Sequence, residues 1–103
     1  MSKTSIDITI NDKNYKYDFE NFGFYAMATA EKKYGLTIDD VYEHPLSTML
    51  SLFAFVAKTD DKEEAGKEID EHIAKGGEIS DLIPLLNGFA NSSFFQSRGK
   101  ETK

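Results

Sequence analysis

The chain has 103 residues, no cysteine and a formal net charge of −6, enough for one domain with its own core but without disulfides or thiolate metal sites. The acidic balance disfavours nucleic acid, whose phosphates take most of their binding free energy from clustered Lys and Arg. Residues 1–7 hold no signal-peptide-like apolar core and no apolar run is long enough to span a bilayer, so a cytoplasmic protein without membrane contact is expected.

Ile6, Ile8 and Ile10 alternate with polar residues, as do Tyr15, Tyr17 and Phe19. This period of two on both sides of Asn11-Asp12-Lys13-Asn14 predicts a β-hairpin. A four-residue connection sets Ile10 against Tyr15, Ile8 against Tyr17 and Ile6 against Phe19, so that six apolar side chains share one face. Asp7, Thr9, Lys16 and Asp18 are left for the wet face. An isolated hairpin is marginal in water, so its apolar face must rest on the helices that follow.

From about Asn21 the period lengthens. Phe24, Met27, Ala28 and Tyr34 mark a helix with Lys32 and Lys33 in its last turn and Gly35 as its C-terminal cap. Thr37 followed by Asp40 caps a short helical turn through Val41 and Tyr42, and Pro45 stands where the next helix begins. That helix runs to about Lys58. Leu46, Met49, Leu50, Phe53, Val56 and Ala57 form its buried stripe, which leaves Leu52 and Phe55 over. In so small a chain an apolar surplus predicts cover by another protein, which makes Leu52 and Phe55 candidate protein-binding residues.

Asp60 with Glu63 predicts the cap of an acidic helix whose stripe is Ala65, Ile69 and Ile73 and whose stop is Gly76-Gly77. Its carboxylates read as a solvated face, with a docking patch for a basic partner as the alternative. The last helix starts near Ser80, tolerates Pro84 in its first turn, shows Leu82, Leu85, Leu86 and Phe89 on one side, and ends over Asn91 to Phe95. Phe94 and Phe95 are adjacent and cannot share one helical face. Either they fold back over the hairpin or they dock into a neighbouring subunit, so both join the candidate protein-binding residues. Gln96 to Lys103 has no apolar residue and is expected to be a disordered polar tail. The fold class expected is α+β: an N-terminal two-stranded hairpin packed on a bundle of about four to five α-helices, one globular domain over residues 1–95.

Chemistry is sparse. His44 and His72 are the two histidines, and no spacing puts two imidazoles on one helix face for a metal. Glu68 and His72 read as an ordinary i, i+4 pair. The run Asp60-Asp61-Lys62-Glu63-Glu64 lacks the alternating oxygens and central glycine of a calcium loop. No Lys and Ser/Thr follow Gly76-Gly77 at phosphate-loop spacing, and neither Ser92 nor Ser93 stands in a Gly-x-Ser-x-Gly elbow. The expectation is no catalytic residue, no cofactor and no metal; an enzyme would need a folded pocket joining His44 or His72 to a carboxylate.

An Ile-Thr-Ile hairpin, an aromatic helix reading Phe22-Gly23-Phe24 through Lys33-Tyr34-Gly35-Leu36, an apolar central helix, an acidic helix and a Leu-rich helix ending Ser92-Ser93-Phe94-Phe95 follow one another. This order resembles the tail assembly chaperones of long-tailed, siphophage-type bacteriophages. The likeness covers Ile6 to Phe95 and rests on residue type, not on a catalytic signature. It implies a non-catalytic protein of the bacterial host cytoplasm whose copies coat the tape-measure protein, help recruit the tail-tube protein, and are absent from the mature virion. Contact between sister subunits, as a homo-oligomer, is part of that expectation. The resemblance also implies a longer form made by backward ribosomal slippage. Arg98-Gly99-Lys100 is compatible with it, since an Arg codon ending in G before GGA and AAA or AAG spells a slippery heptamer; other codons there, or no overlapping frame, would remove that idea. The alternative is a permanent virion part such as a head-to-tail connector.

Overall fold

The computed structural model describes residues 3–97. Strands β1 (Ser5–Ile10) and β2 (Lys13–Asp18) form an antiparallel hairpin, followed by a 3-10 turn at Phe19–Asn21. The helices are α1 (Phe24–Tyr34), α2 (Ile38–Glu43), α3 (Pro45–Ala57), α4 (Lys62–Ala74), α5 (Ile83–Ala90, entered through a 3-10 turn at Ile79–Leu82) and α6 (Ser93–Ser97). The architecture is the α+β hairpin-on-helices arrangement that the residue pattern predicts, with the short α6 added.

The hairpin turn is tighter than expected. Asn11 and Asp12 form it alone, with φ of 54° and 69°, the left-handed pair of a type I′ connection that Asn and Asp accommodate. Lys13 and Asn14 therefore belong to β2, and the register is Ile10↔Lys13, Ile8↔Tyr15 and Ile6↔Tyr17. Relative to a four-residue loop the pairing moves by two positions. An even shift keeps every side chain on its face, so Ile6, Ile8 and Ile10 are buried and Asp7, Thr9, Lys16 and Asp18 are exposed. Phe19 leaves the ladder and is buried in the 3-10 turn, which Asp18 caps by accepting the Glu20 N–H.

Helix α1 starts at Phe24 with Gly23 as its N-cap, later than Asn21. The buried stripe is consequently Met27, Ala30 and Tyr34, while Phe24 and Ala28 face out. Gly35 ends the helix at φ 74°, where a Cβ would be strained. Thr37 caps α2 by accepting the Asp40 N–H, and Pro45 opens α3. Asp61, not Asp60, caps α4 by accepting the Glu63 N–H; Asp60 instead pairs with Lys33 at 2.7 Å.

Helix α3 lies at the centre, touched by α1, α2, α4, α5 and β2. It buries Thr48, Met49, Ser51, Leu52, Phe53, Ala54 and Val56, more than one stripe provides. Leu52 is 0% exposed, which corrects its expected outward position: the surplus is covered by this chain's own elements. Phe55 is half-buried, its ring edge-on to Tyr17 at 5.3 Å and Phe22 at 5.2 Å. The buried hydroxyls are satisfied, Ser51 Oγ donating to Tyr34 O at 2.9 Å and Thr48 Oγ1 to His44 O at 3.1 Å.

Helix α5 buries Leu85, Gly88 and Phe89 against the hairpin side of the core. A Cβ at position 88 would stand 2.7 Å from Ile6 Cγ2 and 2.8 Å from Phe19 Cδ2. Gly88→Ala should therefore lower stability by about 1–3 kcal/mol through overpacking, read as a lower urea midpoint at unchanged slope. Helix α6 folds back on the chain, against α5, Phe22 and the 3-10 turn that follows the hairpin. Phe94 N and Ser93 Oγ both donate to Phe22 O, at 2.9 and 3.2 Å, and the Phe95 ring lies 5.2 Å from Phe89 and 6.4 Å from Tyr42. Phe94 and Phe95 are half-buried. Gln96 and Ser97, expected in the tail, belong to α6; the remainder of the expected tail, 98–103, lies outside the described residues.

Candidate functional site

The stripe of α4 does not stay inside the core. Ala65 is buried, Ile69 half-buried and Ile73 exposed, so the stripe emerges into a groove that α4 forms with α3 and the 3-10 turn before α5. Leu46, Met49 and Leu50 line it from α3, Ile69, Asp70 and Ile73 from α4, and Ile79 and Leu82 from the turn, around a volume of about 260 Å³. Leu46 is 65% exposed and Ile79 49%, so apolar side chains stand at the mouth with Asp70 beside them. Such an aliphatic lining has the chemistry to take apolar side chains from one face of an amphipathic helix. A second apolar exposure is the aromatic pair that opens α1, Phe24 at 80% and Tyr25 at 84%.

A polar cluster ties the hairpin turn to α4. His72 Nδ1 accepts the Asn11 N–H at 2.9 Å, and its Nε2 lies 2.7 Å from Asp81 Oδ2. A ring that accepts at Nδ1 carries a proton on Nε2, which it donates to Asp81. The Asn11 amide donates to Glu68 Oε1 at 2.9 Å and to Glu71 Oε1 at 2.8 Å, and Lys13 Nζ reaches Glu68 Oε2 at 3.3 Å. The histidine and carboxylate that an enzyme reading would need are thus joined, but both imidazole nitrogens are engaged within the chain. His44 stands apart as the N-cap residue of α3. Among the described residues no group of three or more His, Asp or Glu is placed to hold a metal ion, and no helix is long and apolar enough to cross a membrane.

Two of the cluster's carboxyls are held below their ordinary values, Glu68 chiefly by the Asn11 amide and Asp81 by the Glu78 N–H and then His72. A lowered folded-state value contributes stability that is present above the ordinary values, 4.5 for Glu and 3.8 for Asp, and is lost as pH falls through the folded ones. Thermal melts should therefore be level from neutral pH to about 5 and decline below it. Asn11→Gly, which keeps the left-handed turn but removes the amide, should cost more stability at neutral pH than at pH near 3; an equal cost at both would contradict this role for the amide.

No protein-family model matches the chain, and no curated protein or solved structure matches it. Of the four residues expected to bind protein, Leu52 is in the core, Phe55 is in an aromatic cluster beside Tyr17 and Phe22, and Phe94 and Phe95 pack on the chain itself. They do not form one surface. The groove residues were visible only in part: Leu46 and Ile73 fall on helical stripes, whereas Ile79 follows a double glycine and belongs to no period.

Proposed function

We propose that the protein is a non-catalytic assembly chaperone of a long-tailed phage. It docks helical segments of the tape-measure protein in the groove between α3 and α4, helps bring the tail-tube protein to them in the host cytoplasm, and leaves before the virion matures. The observation that carries this reading is the groove itself, lined by aliphatic side chains of which Leu46, Ile73 and Ile79 are exposed. Covering it removes parts of several aliphatic side chains from water, at about 25 cal/mol per Å². A single copy then binds weakly, and many copies along a long client hold it by avidity. The exposed Phe24 and Tyr25 offer sister subunits a separate contact, which suits a homo-oligomeric coat. The net charge of −6 disfavours nucleic acid as the partner.

Co-expression with the tape-measure protein from the same gene neighbourhood, followed by sizing, tests the proposal. The expected result is a soluble complex with several copies of this chain per client. A tape-measure protein that aggregates regardless would contradict it, and recovery of the chain from purified particles would favour a connector.

A further inference from the structure

Among the described residues, nothing pairs with the outer edge of β2. In a two-residue hairpin the pair next to the turn is hydrogen-bonded, and such pairs alternate with open ones along the ladder. With Ile10↔Lys13 closing the turn, Ile8↔Tyr15 and Ile6↔Tyr17 are the bonded pairs. Asn14, Lys16 and Asp18 consequently point their N–H and C=O groups away from β1, and among the described residues none of them bonds the backbone of another element. The β1 flank is crowded by α4, α5 and the turn between them, whereas β2 lies over α3.

Two hollows follow this edge, and neither is lined by a residue of β1. One, of about 240 Å³, has Tyr17, Tyr34 and Phe55 as walls with Lys33 and Lys58 among its lining residues. The other, of about 180 Å³, has Tyr15 and Phe53 as walls with Glu64, Glu68 and Lys13 among its lining residues. Tyr15 and Tyr17 are two residues apart on the helix-facing side, about 7 Å along the strand, the spacing of alternate side chains on an added strand. The hollows also differ in charge. Lys33 is paired with Asp60 and Lys13 with Glu68, which leaves Lys58 at the first and Glu64 at the second to set the sign.

We propose that the outer edge of β2 accepts an extended segment of a partner protein as a third, antiparallel strand. The segment places an acidic side chain opposite Tyr17 and a basic one two residues later, opposite Tyr15. Backbone pairing with Asn14, Lys16 and Asp18 supplies the affinity and the two hollows supply the selectivity. This surface is distinct from the α3–α4 groove and does not depend on the chaperone reading.

The probe is the capped peptide Thr-Val-Glu-Thr-Lys-Val-Thr, titrated into the isotopically labelled full chain. Three comparisons accompany it: the same peptide N-methylated at the central Thr, a version with Glu and Lys exchanged, and the protein variant Lys58→Glu. The expected result is amide shifts centred on residues 14–18 and at Lys58, with binding weakened about tenfold or more by the N-methyl group, the equivalent of one lost hydrogen bond. The exchanged peptide should bind more weakly to the native chain, and K58E should reduce that preference. Absence of shifts at β2, shifts confined to the α3–α4 groove, or indifference to N-methylation would each overturn the proposal. So would a dimer of the free chain abolished by Lys16→Pro, a change that removes an outward N–H and spares the ladder, because the edge would then belong to a second copy.

Discussion

Replacing Leu52 with aspartate is expected to unfold the domain. The side chain is completely buried in the one helix that touches α1, α2, α4, α5 and β2. An uncompensated buried charge costs about 3–5 kcal/mol, and the lost packing of a buried leucine about 2–5 kcal/mol. A single small domain has about 5–15 kcal/mol in all, so the cooperative melt should disappear and dispersed amide signals should collapse. The milder Leu52→Ala should leave a folded protein with a lower melting temperature, reporting the packing term alone. A normally folded L52D variant would place the residue outside after all and return it to the list of docking residues.

Introducing glutamate at both Ile73 and Ile79 should have the opposite profile. Both residues are exposed, so charge there needs little desolvation, and the melting temperature should stay within a few degrees of the native one, the usual range for surface changes. Client binding should suffer heavily. Two carboxylates in the mouth of the groove would have to be desolvated or neutralised beneath an apolar helix face, each at more than the cost of an unpaired neutral polar group, about 1–3 kcal/mol. Losses of that size on every copy would multiply along the proposed multivalent coat, so co-expression should then recover the tape-measure protein as aggregate. Equal recovery with the native chain and the double variant would show that the groove is not the docking surface.

These opposite outcomes mark where local pattern stops being informative. Periodicity finds the hairpin faces, because an even shift of register leaves them unchanged, and it places Gly35, Thr37 and Pro45 at helix ends through short-range steric and capping rules. It misassigns Leu52 because a stripe argument supposes one covered face, whereas α3 is covered on several sides. Thr48 and Ser51 carried the missing hint: short hydroxyl residues in so apolar a helix are tolerated in the interior when they donate to nearby carbonyls, as both do here. Phe24 falls on the helical spacing that marks α1, yet it stands in the first turn after the Gly23 cap and is exposed, because the buried face runs through Met27, Ala30 and Tyr34. The link from Asn11 to Glu68, Glu71 and His72 spans some 60 residues of chain and leaves no trace in local spacing. The groove has the same origin, since Ile79 reaches it only after the chain has turned at Gly76 and Gly77.

The most direct test of the docking account is chemical-shift mapping of the labelled chain with a helical segment of the tape-measure protein. Perturbations should concentrate at Leu46, Leu50, Ile69, Ile73 and Ile79, with the wet face of the hairpin silent. Perturbations elsewhere, or none at concentrations where the co-expressed complex forms, would contradict it.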